Sequence, residues 1–236
     1  MTWVEQSELP WRFTPTGDRC LMIEFGRRLD PAVNRMAHAF TRRLLELSIT
    51  GIVDVVPAFT TVSIHYRPEC FGYDALCERM HELLANGIPD HGGQENQVEI
   101  PVCYGGECGP DLDEVAAACG HTPAEVMERH LASPHCVAML GFAPGFPYIT
   151  GLDPSLSVPR RATPRSRVPA GTVAIAGGQT GIYPLESPGG WNLIGRTPLK
   201  MFDLSRASPC LLGPGDLPRF VSITLEEYLR AGGPLA

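Results

Sequence analysis

Residues 140–154 read LGFAPGFPYITGLDP, and residues 159–197 read PRRATPRSRVPAGTVAIAGGQTGIYPLESPGGWNLIGRT. Glycine and proline fall there in small clusters, and four arginines stand between Arg160 and Arg167. No acidic residue occurs between Asp153 and Glu186. The apolar runs between the clusters have strand length and are too short for helices. This pattern predicts a β-rich unit whose loops approach something anionic. From Cys136 onward the runs VAMLGF, TVAIAG, GIYPL, WNLIG, KMF and RFVSIT are separated by turn-formers such as GGQTG and SPGG. Short strands at that spacing predict an antiparallel barrel or sandwich.

Upstream the periodicity changes. CLMIEF (20–25) alternates as a strand. Asp30-Pro31 then starts a helix, Asp as the N-cap and Pro at the first position, where no N–H is needed. Val33, Met36, Ala37, Phe40, Leu44 and Leu47 form its apolar face, and Gly51 is expected to end it. Strands are predicted at 52–56 and 61–66, a helix from Tyr73 to Asn86 stopped by Gly87, and, after the polar loop GIPDHGGQENQ, a strand over VEIPVCY (98–104). The order β-α-β-β-α-β is that of a split βαβ, ferredoxin-like unit. His65 alternates onto the face opposite the apolar residues, and His38 and His81 fall off the helical stripes, so all three read as solvated or sheet-covering and not as catalytic.

Between the halves, Asp113–Cys119 reads as a short helix closed by Gly120. Thr122-Pro-Ala-Glu125 reads as a capping box opening a helix to about Leu131. The acidic residues of this segment, Asp111, Asp113, Glu114, Glu125 and Glu128, are possible structural partners for the downstream arginines. The expected organisation is α+β: a ferredoxin-like domain over 1–104, a helical connection over 105–134 and a β-barrel domain over 135–236.

A net charge of −7 argues against general nucleic-acid binding. No window approaches the roughly 20 apolar residues of a membrane span, and the start MTWVEQSELPWRF has neither the basic residues nor the apolar run of a signal peptide. The expectation is a cytoplasmic protein with no membrane partner. Eight cysteines are scattered without C-x-x-C spacing and read as reduced thiols; no metal site is expected.

The chemistry is marked by what is missing. Lys200 is the only lysine and follows no glycine-rich loop, and there is no G-x-S-x-G elbow or HExxH. Residues 141–197 hold neither histidine nor cysteine. No catalytic residue is assigned. What is present suits recognition of an anion. Arg160, Arg161 and Arg165 are candidate guanidinium forks. The turns Gly177-Gly178 and Gly189-Gly190 are candidates for backbone donors, and Gln179, Tyr183, Ser187 and Asn192 for neutral donors. Tight turns and structural ion pairs are the competing readings. In GFAPGFPY, Phe142 is assigned to the core, whereas Phe146 and Trp191 are assigned to an interface. Pro144, Gly145, Phe146 and Tyr148 form the candidate partner surface.

The same stretches, with GPGDLPRFVSI and the segment from Thr16-Gly-Asp18 to the Asp30-Pro31 helix, resemble the 5-oxoprolinase B-subunit family. That family is also called allophanate hydrolase subunit 1, and it includes an inhibitor of a sporulation histidine kinase. The resemblance covers nearly the whole chain. It implies a ferredoxin-like amino-terminal domain and a cyclophilin-like β-barrel. It also implies partner subunits A and C and an ATP-dependent hydrolase complex that opens 5-oxoproline to L-glutamate. ATP would act through the complex, Mg2+ would be held by a partner, and no biotin would sit on this chain, which would be inactive alone. Kinase inhibition and an allophanate- or urea-type amide-processing complex are the alternatives the same resemblance carries.

Overall fold

The structure, a computed structural model, describes residues 10–88 and 96–234. Most of the polar loop predicted after Gly87, and the amino-terminal stretch through residue 9, lie outside the described residues. The chain divides into two compact units, residues 1–94 and 95–236.

The first unit holds β1 (Arg12–Pro15), β2 (Cys20–Glu24), α1 (Pro31–Leu47), β3 (Ile52–Pro57), β4 (Thr61–Tyr66) and α2 (Tyr73–Ala85). Its sheet is antiparallel in the order β1-β2-β4-β3. Asp30 caps α1 as the sequence requires, accepting from the Ala32 N–H at 2.7 Å, with Pro31 at the first helical position. Ala37, Phe40 and Leu44 bury the stripe of α1 against Leu21, Ile23, Val62 and Ile64 of the sheet and Leu76 and Met80 of α2. Burying each large aliphatic side chain contributes about 1.5–3 kcal/mol. The helix ends on Ser48, in the left-handed region at φ 45°, three residues before the expected Gly51. His65 is exposed, as expected, but His38 is buried on α1.

The element order here is β-β-α-β-β-α, not the split βαβ. The strand predicted at 98–104 is not in this sheet; its place as a fourth strand is taken by β1, whose four residues carry too little alternation to be read from sequence.

That strand, β5 (Gln97–Tyr104), lies inside the sheet of the second unit. It is followed by α3 (Leu112–Cys119), α4 (Pro123–Ala132), β6 (Cys136–Leu140), β7 (Pro147–Thr150), β8 (Arg165–Val168), β9 (Thr172–Ala176), β10 (Gln179–Ile182), β11 (Ser187–Gly189), β12 (Asn192–Arg196), β13 (Leu217–Ser222) and α5 (Leu225–Arg230). Seven strands form one sheet in the order β13-β5-β12-β9-β10-β7-β6, and β11 pairs with β8 apart from it. All pairs are antiparallel except β13–β5. The sheet curls, and the segment just before β13 reaches back to the strand at its other end: the Val137 N–H of β6 donates to the Asp216 carbonyl at 2.9 Å, and the Gly215 N–H donates to the Val137 carbonyl at 2.8 Å. The result is a half-barrel, consistent with a cyclophilin-like fold.

Helices α3 and α4 belong to this unit and do not form a separate connection. Val115 and Val126 pack with Val137, Ile149, Val173, Ile175, Ile182, Ile194 and Phe220 of the sheet. The capping box at Thr122 and Glu125 forms as predicted. A second cluster, Phe146, Val168, Ala174, Ala176, Tyr183, Trp191 and Leu193, uses the strand residues that alternate with the first, so the sheet is buried on both faces.

Candidate functional site

The site is organised by Asp111, at the N-cap position of α3. A carboxylate there ordinarily accepts N–H groups of the first helical turn, but the Asp111 side chain makes no such bond. Its Oδ2 accepts from Arg165 Nη1 at 2.9 Å and from the Leu193 backbone N–H at 2.8 Å. Its Oδ1 accepts from Arg165 Nη2 at 2.6 Å and Arg161 Nη1 at 3.1 Å. The carboxylate is 3% exposed, a placement that costs several kcal/mol unless its lone pairs are filled. Four donors fill them. The loop before it lies tight on β12: a Cβ on Gly109 would stand 2.1 Å from the Ile194 carbonyl oxygen, so only glycine fits. The Asp111 N–H in turn donates to the Leu193 carbonyl at 2.9 Å.

The four arginines therefore differ in kind. Arg165 is bound bidentately by Asp111. Arg161 is shared between Asp111 and the exposed Glu114, at 2.8 Å. Arg167 pairs at the surface with Glu186, at 2.6 Å. The alternative of structural ion pairs is thus what three of the four guanidiniums adopt, and the sequence reading of Arg161 and Arg165 as open anion forks is corrected. Among the described residues, Arg160 makes no ion pair. It is exposed, and its Cζ stands 5.7 Å from the centre of the Trp191 ring, a cation–π contact of about 0.5–1 kcal/mol. Arg160 and Arg161, with Glu114, Val115, Val158 and Asn192, line a cleft of about 480 Å3 beside α3.

The remaining sequence candidates sort by geometry. Gly177 and Gly178, at φ 56° and 80°, make the two-residue turn of the β9–β10 hairpin. Such a turn needs φ > 0 at both positions. The Gly177 N–H is already given to the Val158 carbonyl at 2.7 Å, so this turn is not an open nest. Gln179 begins β10 in the half-buried class. Asn192, expected as a donor, spends its amide nitrogen on the Pro159 carbonyl at 2.9 Å and the Ile175 carbonyl at 3.2 Å. Only its oxygen is left to offer. Tyr183 is buried, its hydroxyl bonded to the Trp191 backbone N–H, and burial raises its pKa. A Cβ on Gly189 would stand 2.2 Å from that hydroxyl. Gly190 accepts the Arg161 N–H at 2.8 Å. The Ser187 hydroxyl is buried without a hydrogen-bond partner.

The aromatic assignment is reversed. Phe142 is 64% exposed, whereas Phe146 and Trp191 are 2% and 5% exposed and belong to the core. Phe146 packs edge-on against Tyr148, Tyr183 and Trp191, and Gly145 is also buried. Of the expected partner surface, Pro144 is exposed and Tyr148 half-buried. Phe142 adopts φ 67°, unusual for a bulky residue. It is held there by the bonds Gly141 N–H to Phe146 O (3.1 Å), Ala143 N–H to Gly141 O (2.8 Å) and Phe146 N–H to Ala143 O (3.0 Å).

A buried histidine pair went unread in the sequence. His130 on α4 is fully buried; its Nδ1 meets the Tyr104 hydroxyl at 2.8 Å and its Nε2 the Thr180 hydroxyl at 3.1 Å. His135 Nε2 donates to the His130 carbonyl at 2.7 Å, leaving its buried Nδ1 without a partner. Burial drives both pKa values down, His135 to about 4. The only sequence signal was a histidine on the inward stripe of α4, beside Val126 at i−4. Among the described residues, no group of three or more His, Cys, Asp or Glu side chains is placed to hold a metal ion, and no helix is long and apolar enough to cross a membrane.

Comparison with known proteins gives this geometry a class. Residues 11–212 match the carboxyltransferase domain, subdomain C and D. The fold is shared with part of the Kluyveromyces lactis urea amidolyase, which is 21% identical and superposes with a TM-score of 0.74, the match covering 93% of this chain and 15% of that one. Within that class, the chain belongs to the 5-oxoprolinase B-subunit family. Proteins carrying that name from Bacillus subtilis (strain 168), Escherichia coli O157:H7 and Haemophilus influenzae are 40–43% identical to it. The Bacillus protein aligns over 222 residues, 90% of this chain and 92% of its own length. The crystal structure of TTHA0988 is 38% identical with a TM-score of 0.78; the match covers 92% of this chain but 41% of that one.

Proposed function

We propose that the chain is a non-autonomous subunit of an ATP-dependent 5-oxoprolinase that opens 5-oxoproline to L-glutamate. It contributes Arg160 and backbone groups around the α3 cleft, and partner subunits A and C supply the rest. The single observation that carries this is the state of Arg160: of four neighbouring guanidiniums it is the one left without a carboxylate, at the mouth of a cleft, in a chain whose relatives are named as subunits. In TTHA0988 the matching unit is less than half of a longer chain, which supports a second component working beside it.

The chemistry is consistent with a divided site. A lactam carbonyl is a poor electrophile until phosphoryl transfer activates its oxygen, after which water can attack and the ring C–N bond can open. Negative charge develops on oxygen along that path, and fixed donors stabilise it. This chain offers donors; ATP, with Mg2+ held by carboxylates, is assigned to the partners. The test is co-expression with candidate subunits A and C, followed by measurement of glutamate release from 5-oxoproline. The complex should release glutamate with ATP and the isolated chain should not. A complex that consumes urea or allophanate and leaves 5-oxoproline untouched would overturn the proposal.

A further inference from the structure

We infer that the α3 cleft is the site for the organic substrate and not for the nucleotide: it takes one small monocarboxylate that carries a neighbouring N–H. The inference rests on the oxoprolinase reading for the name of that ligand, 5-oxoproline, but its geometry stands on this chain.

Charge sets the ligand class. Of the charged groups that line the cleft, Arg160 and Arg161 stand against Glu114, and behind them the buried Asp111 is held by Arg165, so one net positive charge remains. That balance matches a single carboxylate. A triphosphate carries several negative charges, more than one guanidinium balances, and would meet the exposed Glu114 as a repulsive neighbour. Asp111 fixes the balance in place, since it is buried and gives up the capping of its own helix to hold the two arginines. A carboxylate at an N-cap that does not cap forgoes a local stabilising bond, the kind of exception that collects at functional sites.

Geometry adds the rest. The Trp191 ring under Arg160 limits how the guanidinium plane can turn while its N–H edge stays open for a bidentate carboxylate bond. Asn192, on the same cleft, has both amide protons engaged by the Pro159 and Ile175 carbonyls. It is therefore an acceptor only, suited to a ligand N–H and unable to donate to a phosphate. Val115, Ala118, Val158 and Pro159 give the cleft an apolar wall for ring methylenes. The volume of about 480 Å3 lies within the roughly 300–1,000 Å3 of small-molecule sites. A five-membered lactam with a carboxylate beside its N–H supplies all three features.

The experiment compares wild type, Arg160→Lys and Arg160→Gln in the reconstituted complex with subunits A and C. Equilibrium binding of labelled 5-oxoproline without ATP, and of ATP without 5-oxoproline, is measured beside turnover. Arg160 is exposed, so the variants keep the fold. The expected result is that Arg160→Gln weakens 5-oxoproline binding at least tenfold while ATP binding changes less than twofold, with Arg160→Lys between. Weakened ATP binding, no change in either ligand, or no 5-oxoproline binding by the wild-type complex would each overturn the inference. A complex that binds 5-oxoproline through Arg160 yet never releases glutamate would sink the oxoprolinase reading and leave the cleft assignment standing.

Discussion

Asp111 decides what the neighbouring residues can do. Its carboxylate sits among two guanidiniums and a backbone N–H, so Asp111→Asn would remove the charge while leaving Arg165 partly buried without its carboxylate and Arg161 with Glu114 alone. Breaking a buried pair from one side costs about 3–5 kcal/mol, and the expected loss in a urea melt is of that order. Glu114→Gln is the control: that side chain is 68% exposed, and a surface pair is worth about 0–1 kcal/mol. Equal losses for the two variants would show that Asp111 is not the hub. Sequence could name the participants here, since the acid-free run of arginines and the acids upstream were both visible. It could not rank them. Which arginine stays unpaired depends on where Asp111 sits, and that follows from the packing of the Gly109 loop on β12, so tight that a Cβ on Gly109 would stand 2.1 Å from the Ile194 carbonyl oxygen, a packing fact with no local signature. The same limit explains the exchanged roles of Phe142 and Phe146. Both are aromatic and flank a Pro-Gly turn, and the side each faces follows from a positive φ at Phe142 that a bulky residue does not advertise.

At the level of elements, α4 and the strand after it carry a pH dependence. His135 is held neutral because a proton on Nδ1 would be a buried donor with no acceptor, and His130 is held neutral by full burial and by the neighbouring His135. The folded-state pKa values lie below the ordinary histidine value near 6.5, so the folded protein resists proton uptake that the unfolded chain accepts. Stability from these groups is full above about pH 6.5 and is lost as pH falls toward 4. For His135 alone the loss is about 3 kcal/mol at most. Thermal melting between pH 7 and 4.5 should show the decline, and His135→Gln should flatten it. An unchanged slope in that variant would refute the assignment. Helix ends were the most legible elements: Asp30-Pro31 and the Thr122–Glu125 box act through side chains a few residues away, and both caps form. Strand partners were the least legible. Residues 98–104 read as a strand and form one, over 97–104, but pairing is decided by residues some 90 to 120 positions downstream, among β12 and β13.

For the whole molecule, that pairing moves the division between units. A fragment starting at residue 105, the boundary the sequence suggests, would lack a strand hydrogen-bonded on both sides and would expose the inner edges of β12 and β13. A fragment of residues 95–236 keeps the sheet intact. The longer fragment should give a cooperative melt and dispersed amide resonances, and the shorter should aggregate or stay unfolded; a well-folded 105–236 fragment would contradict the topology. The parallel β5–β13 pair also sets an order of events during synthesis. β5 leaves the ribosome early in the making of the second unit, yet its partner β13 emerges only when residue 222 has been made, and the two bonds at Val137 wait for residues 215 and 216. Contacts of such long sequence separation form slowly. Until then β5 and β6 are free edges on a nascent chain, open to pairing with a neighbour. A translational pause between residues 104 and 217 would therefore lengthen the interval in which those edges stand open.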